Sequence, residues 1–470
     1  MVVGGGTAGI VGAKTAARLG ARVLLVERER TGGDCLWTGC VPSKALLAAA
    51  RAAASARGGH RFGVTVAEVS VDFAKVMDHV RGAIQHIAPV DSIEALEDAG
   101  ISVRTGTARF TGLDAAEIDG TPLRFRQALL ATGAAPAVPP IPGLSRVDYL
   151  TSGTVWDLTK LPEELVVLGG GSIGCELGQA FARLGSRVSV VEGAPRILPR
   201  EDPRAAAEVS RALVDDGVDL HTGSGVARVE PGTGGSGNLY LENGQQVSFS
   251  CLLVAVGRAP RTRDIGLAAA GVEVDEQGFV VVDDLLRTTN ARIWAAGDLT
   301  GHPQFTHTAG VHASLAAVNA VLGVRRKVDL TALPRVTFTD PEVAAVGLGT
   351  DRIPPGLRTI DWPDSHVDRA VAEGAFGGFT RLVVDKRSHV LGATVVGPRA
   401  GETLGELALA ITRGLTTRDL AGVTHAYPTY NDGAWNAAIS DVQSQLERPV
   451  TQRVLGALAR ARTWWVSRDA

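Results

Sequence analysis

Three features of this chain predict an α/β fold with two copies of one strand–turn–helix–strand unit, followed by an α+β region. A glycine-rich turn lies near the start, Gly4-Gly5-Gly6-Thr7-Ala8-Gly9. It recurs after an apolar run as Leu165-Val166-Val167-Leu168-Gly169-Gly170-Gly171-Ser172-Ile173-Gly174. Past about Leu333 the pattern changes to strand-like runs, Phe379 to Val384 and Val390 to Val396, and a helical stretch from Gly401 to Leu415. The 470 residues suffice for about three domains.

Both turns read G-x-G-x-x-G and both lead into a helical pattern and then a second strand. In the first copy that strand is Arg22 to Val26 and ends at Glu27; in the second it is Val188 to Val191 and ends at Glu192. First glycine and acid are 23 residues apart in each. One such turn is weak; two in register are a strong signal of Rossmann-like dinucleotide-binding domains. Gly4, Gly6 and Gly9, and likewise Gly169, Gly171 and Gly174, let the backbone approach a pyrophosphate. The helix start offers N–H groups, and the acid holds a ribose hydroxyl. Two units imply two dinucleotides, a hydride donor and a flavin. Glu192 favours NADH over NADPH, because its carboxylate repels a 2′-phosphate, although Arg196 and Arg200 lie just beyond it. The first strand, Met1-Val2-Val3, is shorter than the usual run of about 5–6 residues, so its natural start is expected upstream.

Between the units lies Gly32-Gly33-Asp34-Cys35-Leu36-Trp37-Thr38-Gly39-Cys40-Val41-Pro42-Ser43-Lys44. Two thiols five residues apart, ringed by glycines, suggest a redox pair and no metal clip. On an undistorted helix they would stand ~7.5 Å apart along the axis, outside the ~4.4–6.8 Å Cα window of a disulfide. A bond between them needs an irregular turn, which Gly39 permits, and a bond so held is easily reduced. Cys175 and Cys251 read as ordinary buried thiols. Four cysteines make no disulfide scaffold, which fits a reducing cytoplasm. A composition 45 % hydrophobic with net charge −3 gives no sign of nucleic acid or lipid. No run reaches the ~18 apolar residues of a membrane span.

The segment from Gly32 to Lys44 closely resembles the active-site segment of the class I pyridine nucleotide-disulfide oxidoreductases. That family includes dihydrolipoamide dehydrogenase, glutathione reductase and mercuric reductase. The resemblance implies that NAD(P)H reduces FAD and FAD reduces the cysteine pair, with Cys40 next to the flavin and Cys35 meeting substrate. It gives FAD to the first unit and the nicotinamide to the second. It also pairs Lys44 with Glu176 beside the flavin N5, where a lysine stabilises the anionic reduced ring. Further FAD contacts are implied at Ala108, within Gly106-Thr107-Ala108, and at Thr132 and Gly133. Asp298 is implied on the ribityl chain, with Gln304, Phe305, Thr306 and His307 lining the flavin. Val226 and Gly257 are implied at the NAD. The domains expected are 1–150 (FAD, first part), 151–272 (NAD), 273–333 (FAD, second part) and 334–470 (interface).

The resemblance makes the last domain a homodimer interface whose C-terminal segment completes the partner's active site. That segment is His425-Ala426-Tyr427-Pro428-Thr429-Tyr430-Asn431-Asp432. Reductases of small thiols read His-Pro-Thr there; here Tyr427 takes the histidine's place and Asp432 that of a glutamate. A phenol with pKa near ~10 is a poor base at neutral pH, where an imidazole near ~6.5 is a good one. Tyrosine at this position, Asp34 to Thr38 and Ile87 to Ser92 resemble the mercuric-reductase-like branch. Asp34 departs from the family's usual threonine, and His425 is the alternative base. No cysteine follows Cys251, which disfavours Hg(II) reduction proper. The tail, with Val454, Leu455, Leu458 and Trp465 near one helical face and Arg453, Arg460 and Arg462 around it, is expected as a helix packed on the dimer, with a membrane-surface role as the alternative. The leading reading is an FAD-dependent, NADH-preferring homodimer passing electrons through Cys35–Cys40 to a small-molecule acceptor: a disulfide, a metal thiolate or another. Mercuric reductase or dihydrolipoamide dehydrogenase proper, a quinone or diaphorase-type reductase bypassing the cysteines, and a redox-sensing flavoprotein are the alternatives.

Overall fold

The computed structural model describes residues 1–349 and 353–468. The chain divides into two compact units, residues 1–199 with 213–329, and residues 200–212 with 330–470.

The first unit holds two parallel five-stranded sheets. In one, the order is Ile293–Ala295, Ala128–Leu130, Val2–Val3, Val23–Glu27, Ile101–Thr105. In the other it is Asp219–Thr222, Arg187–Glu192, Glu164–Leu168, Cys251–Val254, Tyr149–Thr151. Each glycine turn follows the central strand of its sheet and opens a helix. These are α1 (Thr7–Arg18) and, after α2 (Gly33–Trp37) and α3 (Cys40–Arg57), α4 (Ser172–Leu184). The central strands, Val2–Val3 and Glu164–Leu168, are apolar and buried apart from Glu164 at its strand's edge, because helices or strands cover both faces, as parallel sheets require. The leading strand is only Val2–Val3, paired with Leu25 and Val26 on one side and Leu129 and Leu130 on the other.

Two crossings join the sheets, and there Ala134–Pro136 pairs antiparallel with Arg258–Pro260. This ribbon sets the two connecting segments side by side. Helix α5 (Thr306–Leu322) packs on α1 over Ala309, Ala313 and Ala316, small residues that let the two backbones approach.

The second unit is an antiparallel sheet in the order Arg335–Thr337, Glu342–Gly347, Val390–Gly397, Phe379–Val384, Arg358–Pro363. Helices Ala400–Arg413 and α6 (Asp432–Leu446) cover one face through Leu404, Leu407, Ala434 and Ala437, on Val346, Leu382 and Val395. This is the expected α+β region. A last helix, α7 (Pro449–Val466), follows with no buried residue.

Candidate active site

The two cysteines do not share a helix. Cys35 lies within the five-residue α2, and Cys40 is the first residue of α3. Thr38 and Gly39 break the helical path between them, and a Cβ on Gly39 would sit 2.8 Å from the Asp34 carbonyl oxygen. The irregular turn inferred from the spacing is therefore present, and only glycine fits it. Gly32 N–H donates to Gly5 O at 2.9 Å, tying the segment to the first glycine turn. Trp37 Nε1 donates to Thr31 O at 2.7 Å, and Trp156 Nε1 to Thr38 O at 2.9 Å.

The pair is chemically uneven. Cys40 is exposed and Cys35 half-buried. A hydrogen bond from Cys35, a second with the Thr306 hydroxyl at 3.3 Å and the charge of Lys44 pull the Cys40 thiol down to about 6. The same bond to Cys40, with burial, pushes Cys35 up. One proton is thus held on Cys35 while Cys40 carries a thiolate at neutral pH. Lys44, one turn along α3 from Cys40, donates to Glu176 Oε2 at 3.0 Å. Glu176 is buried on the first turns of α4, its side chain 8 % exposed against 38 % for Lys44.

The glycine turns fit dinucleotides on their own geometry. A Cβ on Gly9 or Gly174 would overlap the carbonyl oxygen of Gly4 or Gly169, so each turn closes only with glycine. The caps of α1 and α4 are Gly6 and Gly171, and neither helix start has a side-chain capping bond. Open space surrounds the Cβ position of Gly171. Each terminal acid braces its own turn: Glu27 accepts from Gly5 N at 2.6 Å and Glu29 N at 2.9 Å. Glu192 accepts from Gly170 N and Ala194 N, both at 2.8 Å. Arg196, just past Glu192, donates to Pro199 O at 3.1 Å.

The remaining cofactor positions fall in the same unit. Thr132 donates to Arg261 O at 2.7 Å, and Gly133 and Gly257 have left-handed backbone. Gln304 Nε2 donates to Asp298 O at 3.1 Å, and Phe305 stacks on His307 with centroids 5.3 Å apart. Ala108 is buried at the start of strand Ala108–Gly112, and Val226 opens Val226–Pro231. Cys175 is buried as expected, donating to Gly170 O at 3.3 Å, whereas Cys251 is only half-buried because it opens its strand.

Sequence reasoning missed an ion cluster. Asp34 meets Arg258 and, at 3.4 Å, Arg261; Arg258 Nε also reaches Asp298 Oδ2 at 3.2 Å. Burial raises the Asp298 pKa, with Arg258 opposing. The signal was half visible: Arg258 stands in the crossover segment, but nothing in the sequence joins it to Asp34, 224 residues earlier.

In the second unit Tyr427 and Asp432 meet different partners. The Tyr427 hydroxyl donates to Asp368, and this carboxylate raises the phenol's pKa. Asp432 is buried at the start of α6 and accepts from Thr429 N at 3.1 Å, holding the turn before the helix. His425 has a partner on each ring nitrogen. Its Nε2 meets Glu406 Oε1 at 2.9 Å, its Nδ1 meets Val423 O at 3.0 Å, and the ring stacks on Trp435.

Residues 1–313 match the sequence profile of the pyridine nucleotide-disulphide oxidoreductases, and residues 333–438 match the dimerisation domain of the same name. A mercuric reductase of Streptomyces lividans is 39 % identical, across 91 % of this chain and 93 % of the relative. A dihydrolipoyl dehydrogenase of Geobacillus stearothermophilus is 34 % identical across 93 % and 95 %. Among solved structures, LpdA of Mycobacterium tuberculosis superposes with a TM-score of 0.85 at 27 % identity, covering 93 % of this chain and 98 % of that one. The HOCl-induced flavoprotein disulfide reductase RclA of Escherichia coli gives 0.83 at 28 %, with the same coverage.

Proposed function

Because the chain belongs to the pyridine nucleotide-disulphide oxidoreductases, we propose that Cys35 and Cys40 form the redox disulfide of an NADH-preferring reductase. The enzyme is an FAD-dependent NAD(P)H oxidoreductase, and its dimerisation domain makes it a homodimer. The observation that carries the proposal is the placement of the thiols: Cys35 lies in α2 and Cys40 opens α3, with the Thr306 hydroxyl 3.3 Å from the Cys40 sulfur and Lys44, held by Glu176, one turn along.

Gly4, Gly6, Gly9 and Glu27, with Asp298 and the segment from Gln304 to His307, would hold the FAD. Gly169, Gly171, Gly174 and Glu192 would hold the nicotinamide cofactor. Bound FAD supplies a ring that takes hydride from the nicotinamide and delivers two electrons to a neighbouring disulfide. Lys44, oriented by Glu176, sets positive charge beside Cys40. Once the disulfide is reduced, Cys35 attacks the acceptor. With a disulfide acceptor R–S–S–R, Cys35 loses its proton and forms a mixed disulfide, releasing one R–S⁻. The Cys40 thiolate then attacks the Cys35 sulfur, releasing the second thiolate and closing Cys35–Cys40 again. Two electrons enter and two leave.

The acceptor class is a disulfide or a metal thiolate. One feature supports this over dihydrolipoamide: Tyr427 at the segment's base position is a hydrogen-bond donor, already turned to Asp368. Glu192, bracing its turn as Glu27 does, favours NADH. A pair that works as thiol and thiolate suits the cytoplasm. Anaerobic titration with NADH tests the proposal: a long-wavelength absorbance band should appear at two electrons per flavin and vanish in Cys40→Ser. Turnover of every acceptor by Cys35→Ser at the unaltered rate would instead establish a diaphorase-type reductase.

A further inference from the structure

Helix α7 (Pro449–Val466) stands apart from the redox machinery and shows no buried residue along its 18 positions. At 100° per residue, Val450, Val454, Leu458 and Trp465 fall on one stripe, with Trp464 at its edge. They are 72 %, 54 %, 61 %, 53 % and 57 % exposed, so the stripe covers nothing within this chain. Arg453 and Arg460 flank it on one side and Arg462 on the other.

Charge decides what this face meets. Residues 448–468 contain five arginines and no acidic side chain, in a chain whose net charge is −3. Two of the guanidinium groups lie over the tryptophans, Arg462 4.6 Å from the Trp465 ring and Arg468 3.9 Å from Trp464. An apolar stripe ending in indole rings and fringed with arginines on both sides matches the boundary of an anionic bilayer. There the stripe enters the acyl region, the indoles sit at headgroup depth and the arginines meet lipid phosphates. A second copy is the poorer occupant, since two-fold pairing of this helix would set arginine-fringed stripes against each other. A face about 27 Å long and ~10 Å wide also falls well short of the ~800 Å² per partner of a standard interface. No described helix is long and apolar enough to cross a membrane, so α7 would lie in the surface plane.

We propose that α7 docks the enzyme peripherally on membranes rich in anionic phospholipid. The proposal does not depend on the redox reading. Flotation of the full-length flavin-loaded enzyme with vesicles tests it, comparing pure phosphatidylcholine with phosphatidylcholine containing 30 % phosphatidylglycerol. Binding is expected to the anionic vesicles alone at low salt, and to fall steeply in 0.5 M NaCl. At roughly fivefold per basic residue near an anionic surface, the triple variant R453Q/R460Q/R462Q should bind on the order of 100-fold more weakly. Its flavin absorbance and circular dichroism should match the parent's. Absence of flotation by the parent enzyme overturns the proposal, and so does equal binding to neutral vesicles. If W464A/W465A dissociates the dimer in light scattering while the parent ignores vesicles, the face belongs to a second copy. The salt series on the parent enzyme decides the matter even if a variant fails to fold.

Discussion

Replacing Thr306 by valine removes one hydroxyl from beside Cys40 and leaves the shape of the side chain nearly intact. The backbone of residue 306, which the family resemblance turns to the flavin, is retained. The lost bond is the 3.3 Å contact between the Thr306 hydroxyl and the Cys40 sulfur, one of the causes holding that thiol near 6. Hydrogen bonds to charged groups contribute about 1.5–3 kcal/mol, and this one is long and ends on an exposed sulfur, so the lower end applies. At 1.36 kcal/mol per unit, the Cys40 midpoint should rise by about one unit, to about 7. At pH 6.5 the thiolate fraction then falls from about three-quarters to about one-quarter, and at pH 8.5 it hardly changes. Peptide-resolved alkylation of the reduced enzyme by iodoacetamide across pH 5–9 reads this directly. The expected result is a threefold slower Cys40 reaction at pH 6.5 in Thr306→Val and parental behaviour in Thr306→Ser. An unmoved midpoint in the valine variant would refute the account of how Cys40 is activated.

Asp34→Thr releases Arg258 and Arg261 from a carboxylate and removes a negative charge from the first nucleotide site. FAD should then bind several-fold more tightly by fluorescence titration of the apoprotein; equal or weaker binding would show that the Asp34 charge does not oppose the cofactor. Tyr427→Phe loses the hydroxyl held by Asp368. Steady-state turnover should drop about tenfold with flavin content unchanged, and parental rates on every accepted acceptor would remove Tyr427 from the mechanism. Asp364, buried against the backbone of Gly378 and Gly397, is pushed up to about 7 by burial. Its folded value lies above the unfolded ~3.9, so the native state holds a proton the unfolded chain has lost. Stability is then full below about 4 and declines as pH rises toward 7. Asp364→Asn should therefore leave the second unit's melting temperature unchanged at pH 4 and raise it at pH 8, where the linkage from ~3.9 to about 7 gives about 4 kcal/mol. A gain that is the same at both pH values would show that ionisation is not its source.

What the sequence disclosed follows from the range of each interaction. The glycine turns, their acids and the five-residue cysteine spacing are local signals, fixed by φ/ψ limits and helix periodicity within about 25 residues. Strand Phe379–Val384 came out at its expected bounds because Leu382, Val383 and Val384 make a short apolar run and five of its six residues are buried. Partnerships across the fold were legible only where the family resemblance supplied them, as for Lys44 and Glu176, 132 residues apart. Without such help they stayed hidden. Nothing at Trp156 announces that its indole pins the Thr38 carbonyl, and nothing at Asp368 announces Tyr427, 59 residues on. Likewise nothing in the sequence announces that His425 meets Glu406 and stacks on Trp435.

The asymmetry of the thiols has a structural source that neither cysteine carries alone. Cys40 begins α3 and Thr306 begins α5, so two helix N-termini point their partial positive charge at one sulfur. Cys35, inside a helix of five residues, gains little of that field. The break at Thr38 and Gly39 separates the two environments: a continuous helix would place Cys40 mid-helix and remove its favoured end. Gly39→Ala would crowd the Asp34 carbonyl and the Cys35 Cα, disturbing the separation of thiol from thiolate before it touched either sulfur. The asymmetry of the pair therefore begins in backbone geometry, with Lys44 and Thr306 reinforcing a bias that the chain path creates.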